Sequence, residues 1–159
     1  MKTTIKNGIA AIALAAAVTV TMPAPGFADG HASPFITQDS ANSVAETADK
    51  LVAAIEKAGA TVFAVVDHQA NAAKAGLELP PTRLVIFGNP KIGTPIMQAD
   101  RMAGIDLPVR VLIWAEDGKT KMAATSPDTY KQRYKVDAAE KPLTMMGGAL
   151  GKLMGAAAQ

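Results

Sequence analysis

The stretch Ser40 to Ala58 constrains the fold most, because Val44, Ala48, Leu51, Val52 and Ile55 recur at helical spacing on one face and the opposite face is polar. A helix with a single apolar stripe must bury that stripe against another layer. The partner layer is legible on either side of it. Ser33–Gln38, Thr61–Asp67, Thr82–Phe87, Val109–Ala115 and Lys119–Ala124 read as strands, the last two joined by a hairpin at Glu116-Asp117-Gly118. Shorter helices are expected over Gln69–Ala75, from Thr94-Pro95 (read as N-cap and first helical residue) to just before Gly104, and from Ser126-Pro127 through Tyr134. The fold class that follows is α+β: two layers, a single mainly antiparallel sheet with helices on one face, in the order β-α-β-β-β-β-α. Ser43 and Glu46 have capping-box spacing, Gly59 follows the helix as a C′ residue should, and Glu46 with Lys50 forms an i,i+4 pair.

The first 28 residues follow the secretion pattern. Lys2 and Lys6 precede an uncharged apolar run from Ile9 to Val20, and Gly26-Phe27-Ala28 places small residues at a peptidase site. A run of that length falls short of the ~20 residues needed to span a bilayer. The expectation is cleavage after Ala28, export to the periplasm or secretion beyond it, and no stable membrane insertion afterwards. Residues 29–136 would form the domain, and 137–159 a glycine- and methionine-rich tail, helical or mobile, in which Pro142 and several glycines oppose a capping-box start at Asp137 and Glu140. Gly147, Gly151 and Gly155 in that tail have the four-residue spacing of close helix packing.

Cleavage would also remove two lysines, so Lys plus Arg falls from 16 to 14 against 14 Asp plus Glu. A neutral mature chain without basic-aromatic runs gives no footprint for nucleic acid. The absence of cysteine excludes disulfides, thiolate catalysis, iron–sulfur clusters and Cys-type zinc sites.

The motifs then fall into a pattern. Val66-Asp67-His68-Gln69-Ala70-Asn71-Ala72 is followed by Gly76-Leu77-Glu78-Leu79-Pro80-Pro81-Thr82. Ile86-Phe87-Gly88-Asn89-Pro90-Lys91 with Gly93-Thr94-Pro95, and Ile105-Asp106-Leu107-Pro108 leading into the Trp114 strand, complete the series. In these four segments the chain resembles the bacterial and archaeal domain-of-unknown-function family 302, over roughly Val44 to Tyr134. The resemblance implies an α+β domain similar to the TATA-binding-protein-like fold, commonly a homodimer. Here Gln98-Ala99 stands where that family often has a proline, and Ala124-Thr125 where a Tyr-Asn segment is expected. A family site that used that tyrosine would be missing.

Five residues carry the candidate chemistry. His68, beside Asp67 and three residues before Asn71, has the setting of a general base, or of a structural histidine tying a strand end to a helix start. No Ser, Cys or second His completes a triad. Asn89, Lys91 and Thr94 form a turn that reads either as local backbone chemistry or as an anion site before a helix N-terminus. The dispersed methionines read as core filler in preference to Cu(I) ligands, and Trp114 as a core or dimer-interface residue. Cleavage after Ala28 would leave Asp29-Gly30-His31, whose amine, two amides and imidazole suit Cu(II) or Ni(II), unless the histidine is third by chance. No other cofactor is evident. The function that these features support is an exported, non-enzymatic, homodimeric small-ligand-binding or accessory module. The alternatives are a hydrolase or isomerase using His68, and Cu(II)/Ni(II) capture by the processed N-terminus.

Overall fold

The computed structural model describes residues 33–159; the expected cleavage site after Ala28 and the Asp29, Gly30 and His31 metal site lie outside the described residues. The long amphipathic helix forms as α1 (Val44–Lys57), with Ser43 as N-cap. Ser43 Oγ accepts from the Glu46 amide, and the Ser43 amide donates back to Glu46 Oε2 at 3.0 Å, which completes the capping box. Thr47, Ala48, Leu51 and Ile55 are buried on its inner face. Burying each of the two large aliphatic side chains contributes about 1.5–3 kcal/mol. Gly59 follows at φ 72°, where a side chain would be strained.

The layer under α1 is a five-stranded sheet in the order β1-β5-β4-β3-β2, every neighbour antiparallel. Its strands are β1 (Phe35–Ser40), β2 (Thr61–Asp67), β3 (Thr82–Gly88), β4 (Val109–Glu116) and β5 (Lys119–Thr125). Alternation decides which side chains enter the core. Val85, Phe87, Val111, Ile113, Met122 and Ala124 face the helices and are buried. The β4–β5 register pairs Glu116 with Lys119, so the loop is Asp117-Gly118, both at positive φ as the right-handed twist of a two-residue hairpin requires. The expected two-layer α+β architecture is the one observed.

The short connecting helices are α2 (His68–Lys74), α3 (Pro90–Ala99) and α4 (Pro127–Arg133), with a 3-10 turn over Arg101–Ile105. One expected start is wrong. The helix assigned to Thr94-Pro95 begins five residues earlier, with Asn89 as N-cap and Pro90 at the first position, and Pro95 lies inside it. Asn89 was the better cap because its carboxamide oxygen accepts from the Lys91 amide at 3.0 Å, and proline at the first helical position loses no hydrogen bond.

The tail is not a separate region. Residues Glu140–Ala157 form α5, an 18-residue helix in the same compact unit, burying Leu143, Met146, Leu150, Leu153, Met154 and Ala157 alongside α1. Pro142 sits in its first turn, where a missing amide is harmless. Glycine at 147 is needed because a Cβ there would stand 2.8 Å from Pro127 Cγ, so α5 passes directly over the start of α4. Gly151 meets nothing within 4 Å, and the spacing therefore marks one close approach instead of a repeated one. The far end of α5 is tied to α1. Lys50 Nζ donates to Asn42 Oδ1 and the Gln159 carbonyl, each at 2.8 Å, and Asn42 Nδ2 to the Ala157 carbonyl at 3.3 Å. Lys50 thus serves the helix terminus, while its expected partner Glu46 is engaged by Ser43.

Candidate functional site

The two motif clusters singled out in the sequence lie at opposite ends of the sheet. Asp67, one residue before His68, pairs with Arg83, and Gly88, one residue before Asn89, pairs with Thr61. Five residue steps of strand, roughly 17 Å, separate them. His68 and Asn71 on α2 therefore do not converge with Lys91 and Thr94 on α3, and no acid/base pair is assembled from the two clusters. At the α2 end the tie between strand and helix is made by Asp67. Its Oδ1 accepts from the Ala70 amide at 2.8 Å and its Oδ2 lies 3.4 Å from Arg83 Nε. The Ala70 amide, with Arg83 in support, holds the Asp67 carboxyl below the usual carboxylate range.

The anion reading of the Asn89 turn meets a specific difficulty. Pro90 has no N–H, the Lys91 amide is taken by the Asn89 side chain, and those of Ile92 and Gly93 donate to the Asn89 carbonyl, both at 2.9 Å. The first turn of α3 therefore has no free amide to offer, and the ammonium of Lys91 is exposed on its own. The turn is built by local backbone chemistry.

The same end of the sheet carries something the motifs did not announce. A groove of about 700 Å³ opens where β3 ends and β4 begins, between α3 and α5. Its floor is Phe87, Val109 and Phe63. Ile92, Gly93 and Met97 of α3 with Leu107 form one wall, and Met145, Met146, Ala149, Leu150 and Leu153 of α5 the other. Small residues keep it open: the Cβ that Gly93 lacks would point toward Leu107 Cδ1 at 4.0 Å, and Gly148 meets nothing within 4 Å. Phe63 is 58% exposed and Met145 51%, so the trough is accessible from solvent with its apolar surface unpartnered. Polar side chains in its lining are few: Asn89, Thr94 and Lys152. Of the five residues expected to bind a ligand, Asn89 and Thr94 thus reach one cavity, Lys91 lies beside it, and His68 and Asn71 lie away from it.

Sequence reasoning missed Phe63, Met97, Leu107, Met145 and Lys152. The usable signal was glycine interleaved with methionine, at Gly93 and Met97 and again at Met145, Met146 and Gly148, with Lys152 one helical turn beyond. Each half reads alone as turn or core, and only the fold sets them face to face.

Adjoining the groove is a polar knot around Asp106. Its Oδ2 accepts from Tyr134 Oη at 2.7 Å and Arg133 Nη1 at 3.0 Å, its Oδ1 from Arg110 Nη2 at 2.9 Å, and its carbonyl from buried Tyr130 Oη at 2.9 Å. Burial pushes the Asp106 carboxyl up, but the Tyr134 and Arg133 hydrogen bonds outweigh it, and the net is a lowered pKa. Burial likewise pushes the Tyr130 phenol well above its ordinary value. With every oxygen occupied, the knot is a lock between α4 and the entry to β4. Among the described residues no cluster of His, Cys, Asp or Glu is arranged to hold a metal.

Comparison with known proteins gives a family and a fold. The solved structure of an uncharacterized conserved protein DUF302 from Bacillus stearothermophilus superposes with a TM-score of 0.72 at 18% identity, covering 79% of this chain and 99% of that one. Among curated proteins, the chain is 50% identical over 96 residues to the fluoride-specific ion channel FluC 1 of Brucella suis, covering 60% of this chain and 37% of that protein. The fluoride-specific ion channel FluC 2 of Brucella melitensis matches at the same identity and length over 35% of its own chain. The chain thus spans about a third of the length of these relatives. Residues 36–153 match the family described as domain of unknown function DUF302, and the chain belongs to that family.

Proposed function

We propose that this chain is an exported, non-enzymatic, homodimeric module that binds a small ligand in the groove between α3 and α5. The observation that carries the reading is a solvent-accessible apolar trough of about 700 Å³ with few polar groups in its walls. That size and lining are typical of small-molecule sites. An enzyme would need an acid/base or nucleophile pair in hydrogen-bond reach there, and the two sequence clusters that supplied candidates stand roughly 17 Å apart. The test is titration with the neutral apolar fluorophore 1-N-phenylnaphthylamine. Wild type should enhance its emission saturably, and Gly93→Leu, whose side chain grows toward Leu107, should abolish the signal while leaving the circular dichroism unchanged. Equal enhancement by both proteins would remove the groove from consideration.

Homodimer formation is supported by the face of the sheet opposite α1. Val66, Leu84, Leu112 and Ala123 form a row across four strands, flanked by Ile86 and Trp114, all only partly buried. Trp114 therefore belongs to this face and not to the core. Asp39 and Lys121 stand in register at one edge of the same face, which gives a two-fold pair opposite charges to match. Sedimentation should report a dimer that Leu112→Asp dissociates. Export and the Asp29-Gly30-His31 site remain part of the proposal. N-terminal sequencing should begin at Asp29, and Cu(II) titration should lose its visible band in His31→Ala.

A second reading has its own observation. The 96 residues shared with fluoride-specific channel proteins must fall largely within the described α+β domain, in which no helix is long and apolar enough to cross a membrane. On this reading the domain serves beside a membrane ion channel. Loss of fluoride tolerance on deleting the gene, restored by the wild-type chain but not by Gly93→Leu, would support it; unchanged tolerance would argue for the ligand module alone.

A further inference from the structure

Resting on the groove as the ligand site, we propose that its occupant is a single-chain anionic amphiphile, with an alkyl chain along the trough and a carboxylate or phosphate head at Lys152. Three features of the groove lead there. Its shape is elongated: the α5 wall runs from Met145 to Leu153, which at the helical rise is about 12 Å, the length of a medium alkyl chain. Its wall chemistry favours flexible hydrocarbon. Among its branched and aromatic residues stand Met97, Met145 and Met146, whose unbranched, polarizable side chains adapt to the variable shape of an alkyl chain.

Its charge is the decisive feature. Lys152 is the single charged residue in the lining, and no carboxylate lines the groove with it. Among the described residues Lys152 takes part in no ion pair, so no carboxylate neutralises its charge at the groove. An ammonium on a four-carbon stem lays its methylenes along apolar surface and keeps its charge at the mouth. There it faces a low-dielectric trough, where an anion tethered to a bound chain is attracted more strongly than one free in water. Asn89 and Thr94, on the opposite wall, add an amide and a hydroxyl to the same lining. The Asn89 carboxamide oxygen is committed to the Lys91 amide, so the group it presents to a ligand is its NH₂, a donor that suits an anionic head. A cationic head would be repelled by Lys152, and a neutral one gains no charge–charge attraction from it.

The experiment displaces 1-N-phenylnaphthylamine at pH 8 with dodecanoate, dodecyl phosphate and dodecanol, each below its aggregation limit. Wild type should bind one or both anions several-fold more tightly than the alcohol, and the preference should shrink as salt rises. Lys152→Met should lose the preference while binding dodecanol as before, and Lys152→Arg should retain it. A tighter fit for dodecanoate identifies a carboxylic acid head, and a tighter fit for dodecyl phosphate a phosphate head. If wild type shows no anion preference, or Lys152→Met keeps it, the anionic-head proposal is overturned while fluorophore binding blocked by Gly93→Leu leaves the groove standing. If wild type binds neither the fluorophore nor any of the three chains, the groove reading itself falls.

Discussion

Asp106 and Leu107 are neighbours in the chain, yet they serve two regions built on opposite principles. Asp106 turns inward to a knot in which a charged group has every oxygen partnered, by Arg110, Arg133 and Tyr134. Leu107 and Pro108 turn toward the groove, where apolar surface is left without partners and the lysine at its mouth without an ion pair. A dense polar cluster attracts attention as a site, but saturation is the mark of a structural lock, because nothing remains to bind a ligand. Unused capacity is what a binding site needs, and here it lies in the groove.

The largest expected effect comes from breaking the knot. Asp106→Ala removes the acceptor shared by three donors and should cost about 2–4 kcal/mol in urea denaturation; the partial exposure of both arginines keeps it below a fully buried ion cluster. Fluorophore affinity of the remaining folded protein should change less than twofold. Full stability with lost affinity would reverse the roles assigned to the two regions.

Acid sharpens the same contrast. The Asp106 carboxyl is held below its ordinary value in the folded chain, so its contribution is complete above the unfolded value near ~3.9 and is lost as pH falls through the lower folded one. The urea midpoint of wild type should therefore fall more steeply below about pH 4 than that of Asp106→Asn. Parallel curves would show that the carboxylate is not what stabilises the knot.

Smaller effects, of opposite sign, separate the two glycines of α5. Gly151→Ala meets open space and gains helix propensity, so it should stabilise by about 0.5–1 kcal/mol. Gly147→Ala gains the same propensity but sets a methyl 2.8 Å from the Pro127 ring, and should be destabilising by roughly 1 kcal/mol. Thermal melts of the pair decide it, and equal stabilisation would mean that α5 does not press on α4. Least of all is expected from His68→Ala, which should stay within about 0.5 kcal/mol of wild type and leave groove binding unchanged. A lost signal would return His68 to the site.

Much of the secondary structure was legible because it rests on local periodicity. α1 with its Ser43 and Glu46 box, the alternation in β3 and β4, and the Asp117-Gly118 turn each follow from neighbours a few residues apart. The start of α3 was misplaced because Asn89-Pro90 and Thr94-Pro95 offer the same cap-plus-proline signal, and local sequence does not rank them. α5 was ambiguous because its glycines lower helix propensity, while the stabilisation that overrides them is tertiary burial of Leu143, Leu150 and Met154.

The sequence by itself determined the layer architecture, the family resemblance, the absence of cysteine chemistry and a net charge of only +2. Those properties depend on composition and short-range pattern. Only the tertiary structure decided that His68 and Lys91 stand at opposite ends of one strand pair, and that Met97 and Leu107 face Met145 and Leu153 across a cavity. A groove is a gap between segments distant in the chain. Its volume depends on how closely α5 packs over the sheet, a non-local quantity that no window of sequence contains.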